Sequence, residues 1–308
     1  MTTIKGWLFP GQASQKVGMG LDLKEGSNLA KCYFKKSNEI MECDIQSIIF
    51  AGPDEILKKT EYTQPAIYIV SVITGYLLLE KGLKPKALAG HSLGEYSALA
   101  IGGAFDFDTG LRLVKSRSES MARAGNKEKG TMAAIIGMDD DSVDSLCSSY
   151  DGIGTVVSAN YNSPGQVVIS GSPDAIKWAM NSSKDNGARM AVELNVSGAF
   201  HSPLMRSARE ELAEMINSLE ISDSKYPLYT NVDAKPVIDS NDIKDSLIRQ
   251  LENPVHWAKS ILSMKNDGIT SFLEVGPGKV LQGLNKRIDK SLDCVSVLSM
   301  EQLEKINV

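Results

Sequence analysis

The sequence predicts an α/β protein, in which a mainly parallel sheet is covered by helices on both faces and a smaller domain is inserted into it. Short apolar strands alternate with helical patterns along most of the chain, the order a parallel sheet needs because its crossovers are helices. One strand runs through Gly90-His91-Ser92-Leu93-Gly94 directly into a helix. Between roughly residues 126 and 197 the texture changes to β-α-β-β-α-β, the ferredoxin-like pattern. The expected division is therefore 1–125 and 198–308 for the two parts of the large domain and 126–197 for the small one.

The elements follow in order. Gly6 to Phe9 is an apolar run stopped by Pro10-Gly11, a buried strand entering a turn. Gln64-Pro65 opens a helix that continues to residue 80 through Ile67, Ile69, Val70, Leu77 and Leu79, with Pro suited to a first turn. Lys86 to Gly90 is the next strand, and Glu95 to Ile101 an Ala-rich helix ended by Gly102-Gly103. In the small domain, Thr131 to Ile136 is a strand and Asp139 to Tyr150 a helix. Val156 to Ala159 and Gln166 to Ser170 are strands flanking Asn-Ser-Pro-Gly. Ser172-Pro173-Asp174 caps a helix to about Ser183, and Ala188 to Val196 is the last strand. Ser271 to Val275 returns to the large sheet and stops at Gly276-Pro277-Gly278.

At 308 residues and 42% hydrophobic content the chain can bury one sizeable core. Its 33 basic and 38 acidic residues are scattered, for a net charge of −5, and no basic stripe exists to neutralise phosphates, so nucleic acid is excluded as a partner. Cys32, Cys43, Cys147 and Cys294 lie far apart without CxxC spacing, which predicts neither a metal site nor disulfides and a reducing compartment. The apolar start of the chain meets Pro10-Gly11 too early for a secretory segment, it has no transit-peptide character, and no stretch approaches a membrane span. A cytoplasmic protein is expected.

Gly90-His91-Ser92-Leu93-Gly94 matches the G-x-S-x-G elbow, whose glycines let a strand reverse into a helix while the serine is held exposed at the helix's positive end. A serine hydroxyl needs a base, and the chain offers only His91, His201 and His256. His91, adjacent to Ser92, points away from the hydroxyl and suits a substrate-pocket or support role. His256 sits among apolar residues at a helix start, where it packs or caps. His201 lies in the loop Ser197-Gly-Ala-Phe200-His201-Ser-Pro203, the kind of segment that carries chemistry on a rigid scaffold, and is the best candidate base. Arg117 projects onto the apolar face of its helix beside Leu113, Val114 and Met121, where an arginine either snorkels past the core or meets an anion in a pocket.

Four segments together carry a resemblance: Phe9-Pro10-Gly11-Gln12-Ala13-Ser14-Gln15, Gly90-His91-Ser92-Leu93-Gly94-Glu95-Tyr96, Gly198-Ala199-Phe200-His201 and Glu274-Val275-Gly276-Pro277-Gly278. In family order and spacing from Phe9 to at least Leu281, the chain resembles the malonyl-CoA:acyl-carrier-protein transacylases of fatty-acid synthesis. The resemblance implies an α/β-hydrolase-like large domain with a ferredoxin-like insertion and a site between them. It implies a Ser92–His201 dyad supported by Gln250, an oxyanion hole of the Gln12 and Leu93 backbone N–H groups, and Arg117 gripping the malonyl carboxylate. Phe200 would restrict the acyl group, and Asn160 and Asn162, in the small-domain hairpin, and Ser197, at the domain junction, would contact substrate. The implied reaction passes malonyl from malonyl-CoA through a malonyl-serine to acyl carrier protein, with no cofactor and no metal, and a monomer is expected. A serine hydrolase and a polyketide acyltransferase share the elbow, although no convincing acidic triad member stands between Ser92 and His201.

Overall fold

The computed structural model describes residues 5–306. Its strands are β1 (Gly6–Phe9), β2 (Leu88–Gly90), β3 (Thr131–Ile136), β4 (Val156–Ser163), β5 (Gln166–Gly171), β6 (Met190–Glu193), β7 (Leu228–Tyr229), β8 (Pro236–Val237), β9 (Ser271–Val275) and β10 (Asp293–Val297). Six form one sheet in the order β10-β9-β1-β2-β7-β8, parallel throughout except for the β7–β8 pair. The other four form an antiparallel sheet in the order β4-β5-β3-β6.

Strand periodicity explains how the large sheet is buried on both faces. Trp7, Phe9 and Leu88 join the main core on one side, while Leu8, Ala87, Ala89 and Phe272 join a second core on the other. The small sheet packs Ala133, Ile135, Val167 and Ile169 beneath its two helices through Val143, Leu146, Ile176 and Ala179. From its other face Met132, Ala134, Ala159 and Val168 enter the main core, so the two sheets share apolar packing.

Several expected boundaries shift. The buried helix runs Thr60–Glu80, so Pro65 lies inside it and not in its first turn. Pro65 forgoes one backbone bond there, and burial of most of the helix compensates. That helix is long and apolar enough to cross a membrane, contrary to the sequence reading, but 83% of its most apolar window is buried within the protein. The second strand begins at Leu88, two residues later than predicted. β6 is shorter than predicted because the Ala188 N–H bonds Ser183 O at a helix end and the Val196 N–H turns back to Leu194 O. Ser172 stands at the N-cap of the Pro173–Asp185 helix but does not cap it, since its hydroxyl accepts from the Thr155 N–H at 2.8 Å.

The register decides where a site can form. Phe9 pairs with Gly90, so the carboxyl ends of β1 and β2 lie side by side and the Pro10-Gly11 turn abuts the Gly90–Gly94 turn. A Cβ on Gly94 would stand 2.0 Å from Phe9 O, and one on Gly90 1.9 Å from the Gly94 carbonyl carbon, so both positions must be glycine. Gly94→Ala is expected to lower unfolding free energy by about 3 kcal/mol or more through backbone overpacking. Gly283→Ala, where a Cβ would meet nothing within 4 Å, should be neutral or slightly stabilising in the same denaturation experiment.

Candidate active site

Ser92 sits between β2 and the Gly94–Gly102 helix with φ 50°, a left-handed conformation that costs a non-glycine residue energy. Three side-chain bonds hold it there. The Ser92 N–H donates to Asn231 Oδ1 at 2.7 Å, Asn231 Nδ2 donates to Gly90 O at 2.6 Å, and Gln250 Nε2 donates to Ser92 O at 3.0 Å. His201, also at positive φ (57°), brings Nε2 to 2.8 Å from Ser92 Oγ.

The imidazole is held on its far side by two carbonyls, Gln250 O at 2.8 Å and Asn253 O at 3.2 Å. Carbonyls only accept, so Nδ1 carries the hydrogen and Nε2 turns its lone pair toward Ser92. Burial, joined by the nearby Arg117 charge, holds the His201 pKa down at about 3. The ring is therefore a neutral, correctly oriented acceptor for the serine proton.

Arg117, on the Phe107–Lys127 helix, is fully buried, which removes the snorkelling alternative. Its Nη2 donates to Ser92 Oγ and to Gln250 Oε1, each at 3.0 Å, and its Nη1 to Gln64 Oε1 at 2.6 Å. Every one of these acceptors is neutral, and Nε has no partner among the described residues. A buried guanidinium with uncommitted hydrogen-bonding capacity is a site for an anion.

Beside it, Glu95 is buried in the first turn of the helix that follows Ser92. Burial pushes its carboxyl up to about 7, against the opposing effects of bonds from Gln250 Nε2 and the Asn231 N–H and of the Arg117 charge.

Gln12 and Leu93 occupy the two abutting turns, and among the described residues neither backbone N–H donates to a protein acceptor. A Cβ on Gly11 would lie 2.5 Å from His91 O, so these turns are in close contact. Two free N–H groups from a strand-end turn and from the residue after a serine can receive a tetrahedral oxyanion.

The remaining predicted residues divide. His91 points away from the dyad: its Nε2 is 2.8 Å from Asn162 Oδ1 and its ring packs against Trp257 at 5.5 Å. Asn160 and Asn162 lie in β4 and not in a hairpin turn, which is Pro164-Gly165, because irregular pairing lengthens the strand. There the Ala159 carbonyl accepts from the Val255 N–H and the Tyr161 N–H donates to Val255 O, at 2.8 and 2.9 Å, joining the small sheet to the segment that supports His201. Phe200 is buried in the main core beside His201. Ser197 is exposed, and its hydroxyl pairs with Thr60 at 2.8 Å. His256 stacks on Tyr161 at 4.9 Å and caps nothing.

Sequence reasoning gave no role to Asn231, Gln64, Asn253 or Glu95. Only Glu95 carried a signal, through its place in the Gly90–Tyr96 segment.

The sequence model of the acyl transferase domain matches residues 6–303. A malonyl CoA-acyl carrier protein transacylase of Bacillus subtilis is 41% identical over 299 residues, covering 97% of this chain and 94% of the relative. One of Haemophilus influenzae is 41% identical over 293 residues, 94% of each chain. Among solved structures, an acyl carrier protein S-malonyltransferase from Vibrio cholerae superposes with a TM-score of 0.95 at 40% identity, covering 98% of this chain and 99% of that one. A malonyl-transacylase solved in complex with its holo type II polyketide acyl-carrier protein superposes with a TM-score of 0.94 at 38% identity, covering 98% of each chain.

Because His201 is held far below the usual imidazole range, its neutral form persists across neutral pH. Ser92 labelling by a sulfonyl fluoride should be flat from about pH 5 to about pH 8, where a free histidine would titrate. An inflection near pH 6.5 would refute the buried neutral base.

Proposed function

The chain belongs to the acyl transferase domain family, and from that premise we infer that it transfers malonyl from malonyl-CoA to acyl carrier protein. The donor thioester meets Ser92, whose Oγ bonds to the carbonyl carbon as its proton passes to His201 Nε2. The Gln12 and Leu93 N–H groups receive the oxyanion. Collapse breaks the carbon–sulfur bond, the CoA thiolate leaves with the proton from His201, and malonyl-serine remains. The phosphopantetheine thiol of the carrier then attacks this ester, giving its proton to His201, and Ser92 is regenerated with that proton.

Two carbonyls, rather than a carboxylate, face Nδ1, so the transient imidazolium is stabilised by dipoles, sufficient for exchange between thioesters of similar energy. No step calls for a metal or a redox group. We assign the product to fatty-acid elongation in the cytoplasm, and the four free cysteines support a reducing compartment. The β4-β5-β3-β6 order supports a ferredoxin-like insertion near 126–197, and the strand–elbow–helix passage an α/β-hydrolase-like large domain comprising 1–125 and 198–308. His91, Asn160, Asn162 and Phe200 line our proposed acyl and pantetheine path, whereas the Thr60 bond of Ser197 favours a structural role.

One observation carries the malonyl reading above all: Arg117, fully buried and bonded only to neutral groups, stands 3.0 Å from Ser92 Oγ. The free carboxylate of a malonyl ester is three bonds from that oxygen, within reach of the guanidinium fork. An acetyl group would leave the fork without an anion.

Incubation with labelled malonyl-CoA should acylate the wild type and leave Ser92→Ala unlabelled; label on the variant would sink the assignment. Arg117→Ala should lose about a hundredfold in malonyl transfer while acetyl transfer changes far less. Equal losses for the two acyl groups would remove the carboxylate clamp.

A further inference from the structure

We propose that Glu95 is the resident counter-charge of Arg117, held one amide away by Gln250 so that the clamp binds a malonyl carboxylate without retaining it. This rests on the malonyl reading above and deepens it. Gln250 is the bridge: its Oε1 accepts from Arg117 Nη2 at 3.0 Å while its Nε2 donates to Glu95 Oε2. Burial works against the Arg117 charge, and Tyr96 and the Glu95 carboxylate favour it.

A direct Glu–Arg pair would occupy the fork and compete with substrate. No charge at all would leave an uncompensated cation in a dry site, at high cost. The amide spacer avoids both. Above about pH 7, where Glu95 is ionised, cation and anion balance when the site is empty, and the guanidinium keeps its Nε free. When a malonyl group enters, its carboxylate meets the cation but also feels the Glu95 anion across one side chain, which tempers the grip. That matters in a ping-pong exchange, where excess affinity for the acyl group would make malonyl-serine a sink.

The test compares kcat and KM for malonyl-CoA and acetyl-CoA, with carrier protein as acceptor, in wild type, Glu95→Gln and Glu95→Asp. Glu95→Gln should lower the malonyl-CoA KM by about fivefold or more and lengthen the life of the malonyl-enzyme, with the acetyl-CoA KM unchanged. Glu95→Asp, which keeps the charge, should resemble wild type. A raised malonyl-CoA KM, or parallel changes for both donors, would show a merely structural role and overturn the proposal. Thermal unfolding supplies a second measure that needs no substrate: the double variant Glu95→Gln/Arg117→Gln should recover stability lost in Glu95→Gln alone, because removing both charges leaves neither unpaired. Absence of recovery overturns the pairing, even if Glu95→Gln alone does not fold. A wild type that transfers acetyl as readily as malonyl would defeat the malonyl reading instead, and the unfolding cycle would still decide the pairing.

Discussion

Gln250 ties together groups that the chain brings from distant places. Its backbone carbonyl holds the His201 ring, and its side chain reaches Arg117, the Ser92 carbonyl and Glu95. A serine at positive φ persists only where its surroundings determine it more than once, and here Gln250 and Asn231 both do so. Displacing this one residue would loosen His201, Arg117 and the strained turn together, since each depends on the same side chain or its carbonyl.

The electrostatics follow from dryness. Arg117, Glu95 and His201 are all buried, so water screens none of them and amides must take its place. Gln64, Gln250 and Asn231 supply those amides, each able to donate and accept, so they can join a cation, an anion and backbone groups without adding charge. The same burial that makes Arg117 costly without an anion keeps His201 neutral and ready to accept a proton.

The two sheets meet at this network through main-chain bonds. β4 pairs with Val255, between the Asn253 carbonyl that supports His201 and the His256–Tyr161 stack, while Asn162 reaches His91 beside Ser92. Backbone pairing resists displacement better than a contact between flexible side chains, so the small sheet fixes one wall of the site in relation to the dyad.

The elbow was legible in the chain because its requirements are local: Gly90 and Gly94 must lack side chains where a strand reverses into a helix, and Ser92 stands between them. The β-α-β-β-α-β order was legible for the same reason, as strand and helix periods are written into consecutive residues. Boundaries were less so: Pro65 within a helix and Asn160 within a strand are tolerated only because of partners far along the chain. Arg117 could be placed on an apolar helix face but not chosen between snorkelling and anion binding, since that depends on what covers the face. Asn231, Gln64, Asn253 and the link from Glu95 through Gln250 to Arg117 had no decisive local pattern. Local pattern was enough to name Ser92, His201 and Arg117 as residues able to do chemistry and to place each on its turn, loop or helix. That they share one dry volume follows from the packing of the folded chain, because hydrogen bonds between residues more than a hundred positions apart leave no periodic trace in the sequence.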